Sequence, residues 1–229
     1  MPNLRLLGSI SYTTGRFGRA LRGGYAEVPS GLFNRGPSAD WTIEWWATRI
    51  SESNGLFVSS LTDTFNQWYV GHDATHATLN GRATPMVVGD GGWHHFRLVL
   101  IAWSGALTLY VDGVCAATQT VLATGPEENN RSFIGAIWSG RGDTIFISSP
   151  IAVDECAVFS YARTTGGSVG ATCFTVPTAP HTGDEAGLVA LWHLDGDDGD
   201  AAGPRRVAAD DPALLYSPGN WASGTAVNP

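Results

Sequence analysis

The chain has 229 residues, of which 43% are hydrophobic and only 15% are charged, and it contains 29 Gly, 12 Pro and nine Trp. Its formal net charge is −8 and its 13 basic residues, all Arg, are scattered along the chain, so we expect no nucleic-acid partner, because a phosphate backbone is bound by a concentrated basic surface. No segment approaches the run of about 18 apolar residues that spans a membrane, so no membrane insertion is expected.

The first strong strand signal in chain order is Trp41–Ala47, where apolar residues occupy every second position and predict one face toward a core. Trp93–Trp103 and Ala106–Val111 follow, joined by a Ser-Gly pair that predicts a hairpin turn. An Asp-Gly turn at 112–113 then leads into Val114–Gln119. Strands joined by such short turns form an antiparallel meander.

The second half of the chain contains shorter β-rich runs and no pattern for a helix of four turns. The runs are Ser132–Trp138, Thr144–Ser148, Ile151–Phe159 and Leu188–Leu194. Residues 161–186 are rich in Thr, Gly, Ser, Ala and Pro and predict an irregular connection on the surface. Single β-sandwiches reach about 200–250 residues, so the sequence predicts one all-β domain over residues 1–229, either a sandwich or a jelly roll.

Four segments form an ordered set of motifs. They are GRFGRALRGGYAEVP (Gly15–Pro29), WTIEWWA (Trp41–Ala47), GGWHHFRLVLIAWSGALTLYVDGV (Gly91–Val114) and IAVDECAVFSYART (Ile151–Thr164). In this order they resemble the laminin-G-like jelly-roll domains of the concanavalin-A-like lectin and glucanase group. The resemblance covers roughly residues 15–165 and implies two antiparallel sheets packed face to face as a β-sandwich.

One further segment resembles the same family but lies at the other end of the chain. GLVALWHLDGDDGDAAG (Gly187–Gly203) is similar to the strand that usually opens such a domain, ahead of the Gly-Phe-Gly motif. It either begins a second, truncated module or supplies a terminal strand in a permuted order. Only residues 204–229 follow it, and these are too few for a second core. We therefore expect that residues 187–229 supply a terminal strand of the same domain in a permuted order. A swap of this strand onto a neighbouring subunit, giving a homo-oligomer, is the remaining alternative.

The run DGDDGD at 195–200 is a candidate cation site. It places four carboxylates within six residues, and Ca²⁺ prefers such hard oxygen ligands. We take Asp195, Asp197 and Asp200 as candidate Ca²⁺ ligands, although the spacing does not match an EF-hand loop. The alternative is a solvated acidic turn.

Aromatic side chains beside polar ones are candidate sugar-binding residues, since sugars stack on aromatic rings while polar groups hold their hydroxyls. The candidates are Trp68, Tyr69, Trp138, Arg141 and Trp221. The alternative for each aromatic residue is a place in the core or at an interface.

No catalytic residue is predicted. The related glucanases carry a Glu-x-Asp-x-Glu or Glu-x-Asp-x-x-Glu strand, which this sequence lacks. Asp154 and Glu155 are adjacent, so in a regular strand their side chains point to opposite faces and cannot act as a pair. His94 and His95 diverge for the same reason and are interpreted as packing residues.

Domains of the family that this chain resembles occur in secreted proteins and in virions. A chain that begins at Met without a signal peptide and lacks Lys fits a GC-rich bacteriophage, made in the host cytoplasm and displayed on the virion surface. We therefore expect a non-enzymatic tail or capsid protein that binds host-cell glycans. The alternatives are a purely structural decoration, cementing or tail-assembly module that contacts other virion proteins and, more remotely, a glycoside hydrolase.

Overall fold

The structure, a computed structural model, describes a defined part of the chain. The described residues are 4–29, 31–33, 39–49, 54–61, 68–121, 131–138, 145–147, 151–164, 166–196 and 207–208. Within these residues all regular structure is β-strand, and they include no helix long and apolar enough to cross a membrane.

The strands follow one another closely along the chain. They are β1 (Leu4–Leu7), β2 (Ser11–Thr14), β3 (Arg19–Arg22), β4 (Tyr25–Val28), β5 (Trp41–Arg49), β6 (Gly55–Leu61), β7 (Trp68–His72), β8 (His76–Leu79), β9 (Arg82–Val87), β10 (His94–Ile101), β11 (Ala106–Val111), β12 (Val114–Thr120), β13 (Arg131–Ile134), β14 (Ala136–Trp138), β15 (Ile145–Ile147), β16 (Ile151–Phe159), β17 (Leu188–Trp192) and β18 (Val207–Ala208). The predicted strand at Ser132–Trp138 is thus divided into β13 and β14 at Gly135, whose φ is +81°.

The strands form two large sheets and one small hairpin. Sheet A has the order β18-β1-β4-β13-β6-β7-β8-β9, and sheet B has the order β12-β11-β10-β5-β16-β3-β2, with β17 also paired to β16. All pairs are antiparallel except β1 with β18, while β14 and β15 pair with each other. Two antiparallel sheets of this kind form a β-sandwich, so the predicted fold class is confirmed.

The core lies between the sheets and is built by the alternation seen in the sequence. Trp41, Ile43 and Trp45 of β5 point inward, and Trp45 is in register with Phe96 of β10. These two rings stack with centroids 5.4 Å apart and planes only 4° from parallel. The period-2 pattern therefore selects the inner face, and large aromatic side chains fill it.

The outer face of sheet B is also covered, which the alternation alone did not indicate. Residues 160–164 and 166–187, called here the covering segment, run irregularly across this face between β16 and β17. The Tyr110 hydroxyl donates to the carbonyl of Gly166 at 2.7 Å, and the Arg97 guanidinium lies 3.4 Å from the centroid of the Phe174 ring. Side chains on the outer face of β5, such as Glu44, are therefore buried as well.

Strand β16 has two different neighbours along one of its edges. Its first part pairs with β3, through Ala152 and Val153, whereas its second part pairs with β17, from Cys156 to Phe159. Both neighbours run antiparallel to β16, so the end of β17 faces the beginning of β3. The permuted position of residues 187–203 stays a prediction. The gap between the two neighbours falls at Asp154 and Glu155.

Candidate functional site

A cleft opens on the outer face of sheet B at the gap between β17 and β3. Its volume is about 550 Å³, which lies within the range of small-molecule sites. Four separate parts of the chain contribute its walls: the turn after β2, strand β16, the covering segment and the residues after β17. The lining residues are Phe17, Gly18, Glu155, Pro180, His181, Thr182, His193 and Asp195.

The turn between β2 and β3 is shaped by glycine and held by a carboxylate. The Gly15 amide donates to the carbonyl of Gly18 at 2.9 Å, and the Phe17 amide donates to Oδ2 of Asp154 at 2.9 Å. A Cβ on Gly15 would lie 2.4 Å from the carbonyl oxygen of Arg19 and 2.6 Å from Asp154 Oδ2. Only glycine leaves room for the turn to approach β16 this closely.

A bulge in β16 brings Asp154 and Glu155 to the same side of sheet B. Asp154 pairs with Trp46 and Ala157 pairs with Glu44, so three steps along β16 match two steps along β5. The extra residue interrupts the regular alternation of side chains between the two faces of the sheet. The interruption lies at Glu155, which adopts a φ of +52°. The prediction that these two carboxylates point to opposite faces is therefore wrong, because it assumed an unbroken strand.

Glu155 joins the covering segment to the end of β17. Its Oε1 lies 2.5 Å from Nδ1 of His193, and its Oε2 accepts the backbone amide of His181 at 3.0 Å. The residue is only 2% exposed, so these contacts replace the water that the carboxylate loses on burial. Glu155 therefore holds the imidazole of His193 and the backbone of His181 at the cleft.

Asp195 forms the opposite wall of the cleft and contacts the turn after β2. Its Oδ1 accepts the backbone amide of Arg19 at 2.6 Å. A Cβ on Gly18, whose φ is +92°, would lie 2.7 Å from the same oxygen. The turn after β2 and the residues after β17 are therefore in direct contact, with no space for a side chain at Gly18.

Asp154, which precedes Glu155 of the cleft wall, has an unusually high pKa. Burial, and to a smaller extent the charges of Glu155 and Asp195, together raise its pKa to about 7, against the opposing effect of the Phe17 and Arg16 amides. Its Oδ1 is buried and has no hydrogen-bond partner among the described residues. The site therefore contains three interacting carboxyl groups, of which one is half-protonated near neutral pH.

A buried ionic cluster supports the covering segment behind the cleft. Glu44 lies 2.6 Å from Nε of Arg97, 2.9 Å from Nη1 of Arg163 and 3.8 Å from Nε2 of His181. Burial alone would raise the pKa of Glu44, but the hydrogen bond from His95 and the charges of Arg97 and Arg163 lower it to about 2. Glu44 is therefore ionised, and it anchors the covering segment through Arg163 and His181.

Phe17 provides the aromatic wall of the cleft. Its ring contacts Trp46 edge-on, with centroids 5.8 Å apart, and the guanidinium of Arg16 lies 4.7 Å from the centroid of the Trp46 ring. Phe17 is half-buried, so part of its ring faces the cleft. An aromatic face beside carboxylates and imidazoles is the type of surface that binds sugars.

The structure places two of the sequence-predicted aromatic residues away from this cleft. Trp68 is only 5% exposed and packs in the core against Phe33 and Trp41, with ring centroids 5.9 and 5.5 Å apart. Its ring therefore offers no surface to a glycan. Tyr69, the next residue of β7, is half-buried on the outer face of sheet A, where its amide donates to Asn80.

The other predicted site residues are only partly covered by the structure. Trp138 ends β14, and only its backbone is described. Of the three candidate Ca²⁺ ligands, only Asp195 is described, and no group of three His, Cys, Asp or Glu side chains within the described residues could hold a metal ion. Ca²⁺ binding stays a prediction. Four of the predicted site residues lie outside the described part of the chain: Arg141, Trp221, Asp197 and Asp200.

Several lining residues were not singled out from the sequence. Phe17 lies in a segment whose sequence indicates only a family motif, and His193 lies in a predicted strand. His181 lies in the stretch interpreted as an irregular connection. No local spacing links these residues, because 164 positions separate Phe17 from His181 in a chain of 229. Only the pairing of β16 with both β3 and β17 brings them together.

Comparison with solved structures finds similar folds at low identity. Domain 4 of AbnA, a GH43 extracellular arabinanase from Geobacillus stearothermophilus solved with arabinotriose, is 16% identical over 70% of this chain and 82% of that chain, with a TM-score of 0.49. A carbohydrate esterase from the Shiga toxin-encoding bacteriophage phi24B is 12% identical over 70% and 91%, with a TM-score of 0.48. Botulinum neurotoxin type C, whose cell entry depends on two ganglioside molecules, is 12% identical over 70% and 43%, with a TM-score of 0.47.

At the level of sequence, no curated protein matches the chain. The family model described as concanavalin A-like lectin/glucanases superfamily, of the laminin-G type, matches residues 21–166. That span contains most of both sheets, including β5, β10, β11 and β16. Since the match extends over more than half of its length, the chain belongs to the concanavalin A-like lectin/glucanases superfamily.

Proposed function

We propose that this protein is a non-enzymatic carbohydrate-binding module that takes a glycan in the cleft between β17 and β3. The observation that carries the proposal is the composition of the cleft wall, where the ring of Phe17 faces the polar groups of Glu155, His193 and Asp195. A sugar ring has an apolar face that stacks on an aromatic side chain and hydroxyls that bond to carboxylates and imidazoles. Both kinds of contact are available within one cavity.

The absence of catalysis is part of the proposal and is supported by how the carboxylates are used. Asp154 is fully buried, and one of its oxygens holds the turn after β2. Both oxygens of Glu155 are engaged, one by His193 and one by the amide of His181. Glycoside hydrolysis requires two carboxyl groups that reach a bond of the substrate from its two sides. Here the neighbouring carboxyl groups hold the walls of the cleft together.

We place the module on the surface of a virion, as a tail or capsid protein that contacts host-cell glycans. This part of the proposal rests on the sequence, in particular on a composition that contains 13 Arg and no Lys. Immunogold labelling of purified virions with an antibody against the protein tests it. Label on the particle is expected, and its absence from intact particles would reject this location.

The glycan-binding proposal is tested with a glycan array and a panel of bacterial cell-wall polysaccharides. Phe17→Ala should abolish binding, because it removes the aromatic wall. Tyr161→Ala is the matched control, since Tyr161 is 41% exposed and also contacts a second aromatic ring, that of Phe159, but lies outside the cleft. If the wild-type protein binds no member of either panel, or if both variants bind as the wild type does, this cleft is not a carbohydrate site.

A structural role in decorating a particle is the second candidate, and one exposed ring favours it. Trp103, at the tip of the β10–β11 hairpin, is 88% exposed. Its turn is held by Asp40, which accepts the amide of Ala102 at 2.8 Å, so the ring is displayed on a fixed backbone. Such rings anchor protein interfaces. Loss of the Trp103→Ala variant from virions, with unchanged glycan binding, would support this role.

A further inference from the structure

Two of the three cysteines of the chain lie side by side where the covering segment meets β12. Cys115 is fully buried in β12, and Cys173, in the covering segment, is half-buried. Cys173 packs against the cluster that Cys115 forms with Val99 and Tyr110 on the outer face of sheet B. A Cβ on Gly167 would lie 2.5 Å from Sγ of Cys173 and 3.6 Å from Cβ of Cys115. Both cysteine side chains therefore border the same small space.

Backbone pairing holds the two cysteines in this arrangement. Val114 forms an antiparallel bridge with Thr172. The residues that follow each of them, Cys115 and Cys173, therefore project from one face of the pairing and lie diagonally across it. The amide of Cys173 also donates to the carbonyl of Gly113 at 2.8 Å, which fixes the register of the covering segment against β12.

The two thiols differ in how readily a reagent in solution reaches them. Burial, and to a smaller extent the charge of Cys173, raise the pKa of the Cys115 thiol, against the opposing effect of a hydrogen bond with Thr118. Cys115 is therefore protonated near neutral pH and shielded from solvent. Cys173 is partly exposed, so it is the first of the two that a reagent meets.

The third cysteine faces the other way. Cys156 of β16 is fully buried and packs in the core between the two sheets. Cys115 and Cys173 lie on the outer face of sheet B, so the sheet itself separates them from Cys156. Only one pairing of the three thiols is therefore possible within the folded chain.

We propose that Cys115 and Cys173 form a disulfide bond that fastens the covering segment to β12. The oxidant is a low-molecular-weight disulfide. The thiolate of Cys173 attacks one of its sulfur atoms and expels the first small thiolate, which leaves a mixed disulfide. Cys115 then loses its proton and attacks Sγ of Cys173, which expels the second. Two protein thiols are thus oxidised to one disulfide, and one disulfide of the oxidant is reduced to two thiols.

This bond goes beyond glycan binding, but it restrains a wall of the cleft. Pro180, His181 and Thr182 line the cleft and follow Cys173 by only seven to nine positions. Cys173 itself lies 58 positions after Cys115, so the bond closes a long loop. Closing a long loop restricts the unfolded chain and stabilises the folded one. The oxidised protein should therefore resist unfolding better than the reduced protein.

Peptide mapping tests the bond, because trypsin places each cysteine in a different peptide. The peptides are Leu98–Arg131 with Cys115, Gly142–Arg163 with Cys156, and Thr164–Arg205 with Cys173. The full chain is equilibrated with reduced and oxidised glutathione, its remaining thiols are alkylated in urea, and it is digested without reduction. Mass spectrometry should find the first and third peptides linked in one species, and Cys156 alkylated.

Two variants locate the bond. Cys173→Ala should abolish the linked species, whereas Cys156→Ala, the matched control, should leave it unchanged because it removes a thiol on the other face of the sheet. Oxidation should raise the melting temperature of the wild type by about 5–10 °C and leave that of Cys173→Ala unchanged. Because Cys173 is partly exposed, Cys173→Ala keeps the test decisive even if Cys156→Ala fails to fold.

Three outcomes would overturn the proposal. The first is three alkylated cysteines after equilibration with excess oxidised glutathione, which would make Cys115 and Cys173 packing residues only. The second is a link that includes Cys156 or that joins two chains, seen as a dimer on a non-reducing gel. The third is a linked species whose melting temperature equals that of the reduced protein, since the bond would then not fasten the covering segment.

Discussion

The carboxyl groups of Asp154 and Glu155 lie on the same side of sheet B, although the two residues are consecutive in β16. The bulge opposite Trp46 and Glu44 produces this arrangement, and the φ of +52° at Glu155 is its local signature. A non-glycine residue with positive φ is uncommon and is retained where its surroundings hold it. Here His193 and the covering segment hold Glu155, so the bulge is part of the cleft and has consequences that can be measured.

Asp154 should make the protein less stable as the pH rises. Burial raises its pKa from 3.8 to about 7, so the folded state holds a proton that the unfolded state has already released in this interval. The free energy of unfolding should therefore fall between about pH 4 and pH 7. Asp154→Asn should remove this dependence and stabilise the protein at pH 8 by up to about 4 kcal/mol, since each pKa unit corresponds to about 1.4 kcal/mol. Urea denaturation across this pH range measures it, and an unchanged slope in the variant would exclude Asp154 as the group responsible.

Removal of the charge on Glu44 should destabilise the protein strongly. Glu44→Gln leaves the buried Arg97 and the half-buried Arg163 without their counter-charge, and we expect a loss of about 3–5 kcal/mol in the free energy of unfolding at neutral pH. The hydrogen bond from His95 and the charges of Arg97 and Arg163 lower the pKa of Glu44 from 4.5 to about 2 in the folded state. The stabilisation by the Glu44 charge is therefore fully present above pH 4.5 and is lost as the pH falls toward 2.

The matched control for Glu44→Gln is Glu27→Gln. Glu27 also contacts two Arg residues, Arg5 and Arg131, but its side chain is 19% exposed. We expect a loss of about 1 kcal/mol or less, because water screens pairs near the surface. Chemical denaturation of both variants compares them, and similar losses would mean that the Glu44 cluster has no special role.

Gly18→Ala should lower both the free energy of unfolding and the affinity for the glycan, whereas Gly170→Ala should lower only the free energy of unfolding. A Cβ at Gly18 would contact Asp195, whereas one at Gly170 would contact nothing within 4 Å, and the two residues have φ values of +92° and +90°. Both substitutions therefore carry the same backbone strain, about 1–2 kcal/mol. Only Gly18→Ala should also lower affinity for the glycan that binds most tightly in the array. Equal affinities for the two variants would argue against Asp195 as a wall of the binding site.

His94 should stabilise the protein in acid more than in base. The hydrogen bond with Asp112 raises the pKa of His94 above 6.5, partly opposed by burial and assisted by Asp90. The stabilisation is therefore complete below about pH 6.5 and is lost as the pH rises through the pKa of the folded state. His94→Gln should cost about 1 kcal/mol or less near pH 5.5, since both carboxylates are partly exposed, and still less near pH 8.5. Thermal denaturation at both values compares the two proteins, with His76→Gln as a more exposed control. A larger destabilisation by His94→Gln near pH 8.5 than near pH 5.5 would contradict this prediction.

Local pattern in the sequence was sufficient to determine the fold class and the main strands. The alternation in Trp41–Ala47 identified the inner face of β5, and the Ser-Gly and Asp-Gly turns identified the β10–β11–β12 meander, because strand period and turn chemistry depend on neighbouring residues only. The same local information placed Trp68 and Tyr69 together as candidates. It could not decide that Trp68 packs against Trp41 in the core.

The cleft, in contrast, was decided by tertiary structure. Its walls combine Gly18 with Asp195 across most of the chain, and the contact depends on two strands that share one edge of β16. The bulge at Glu155 depends on the register with β5, and the burial of Glu44 depends on the covering segment. Pairing and packing between distant segments set these features, so no spacing within the sequence could reveal which carboxylates share one site.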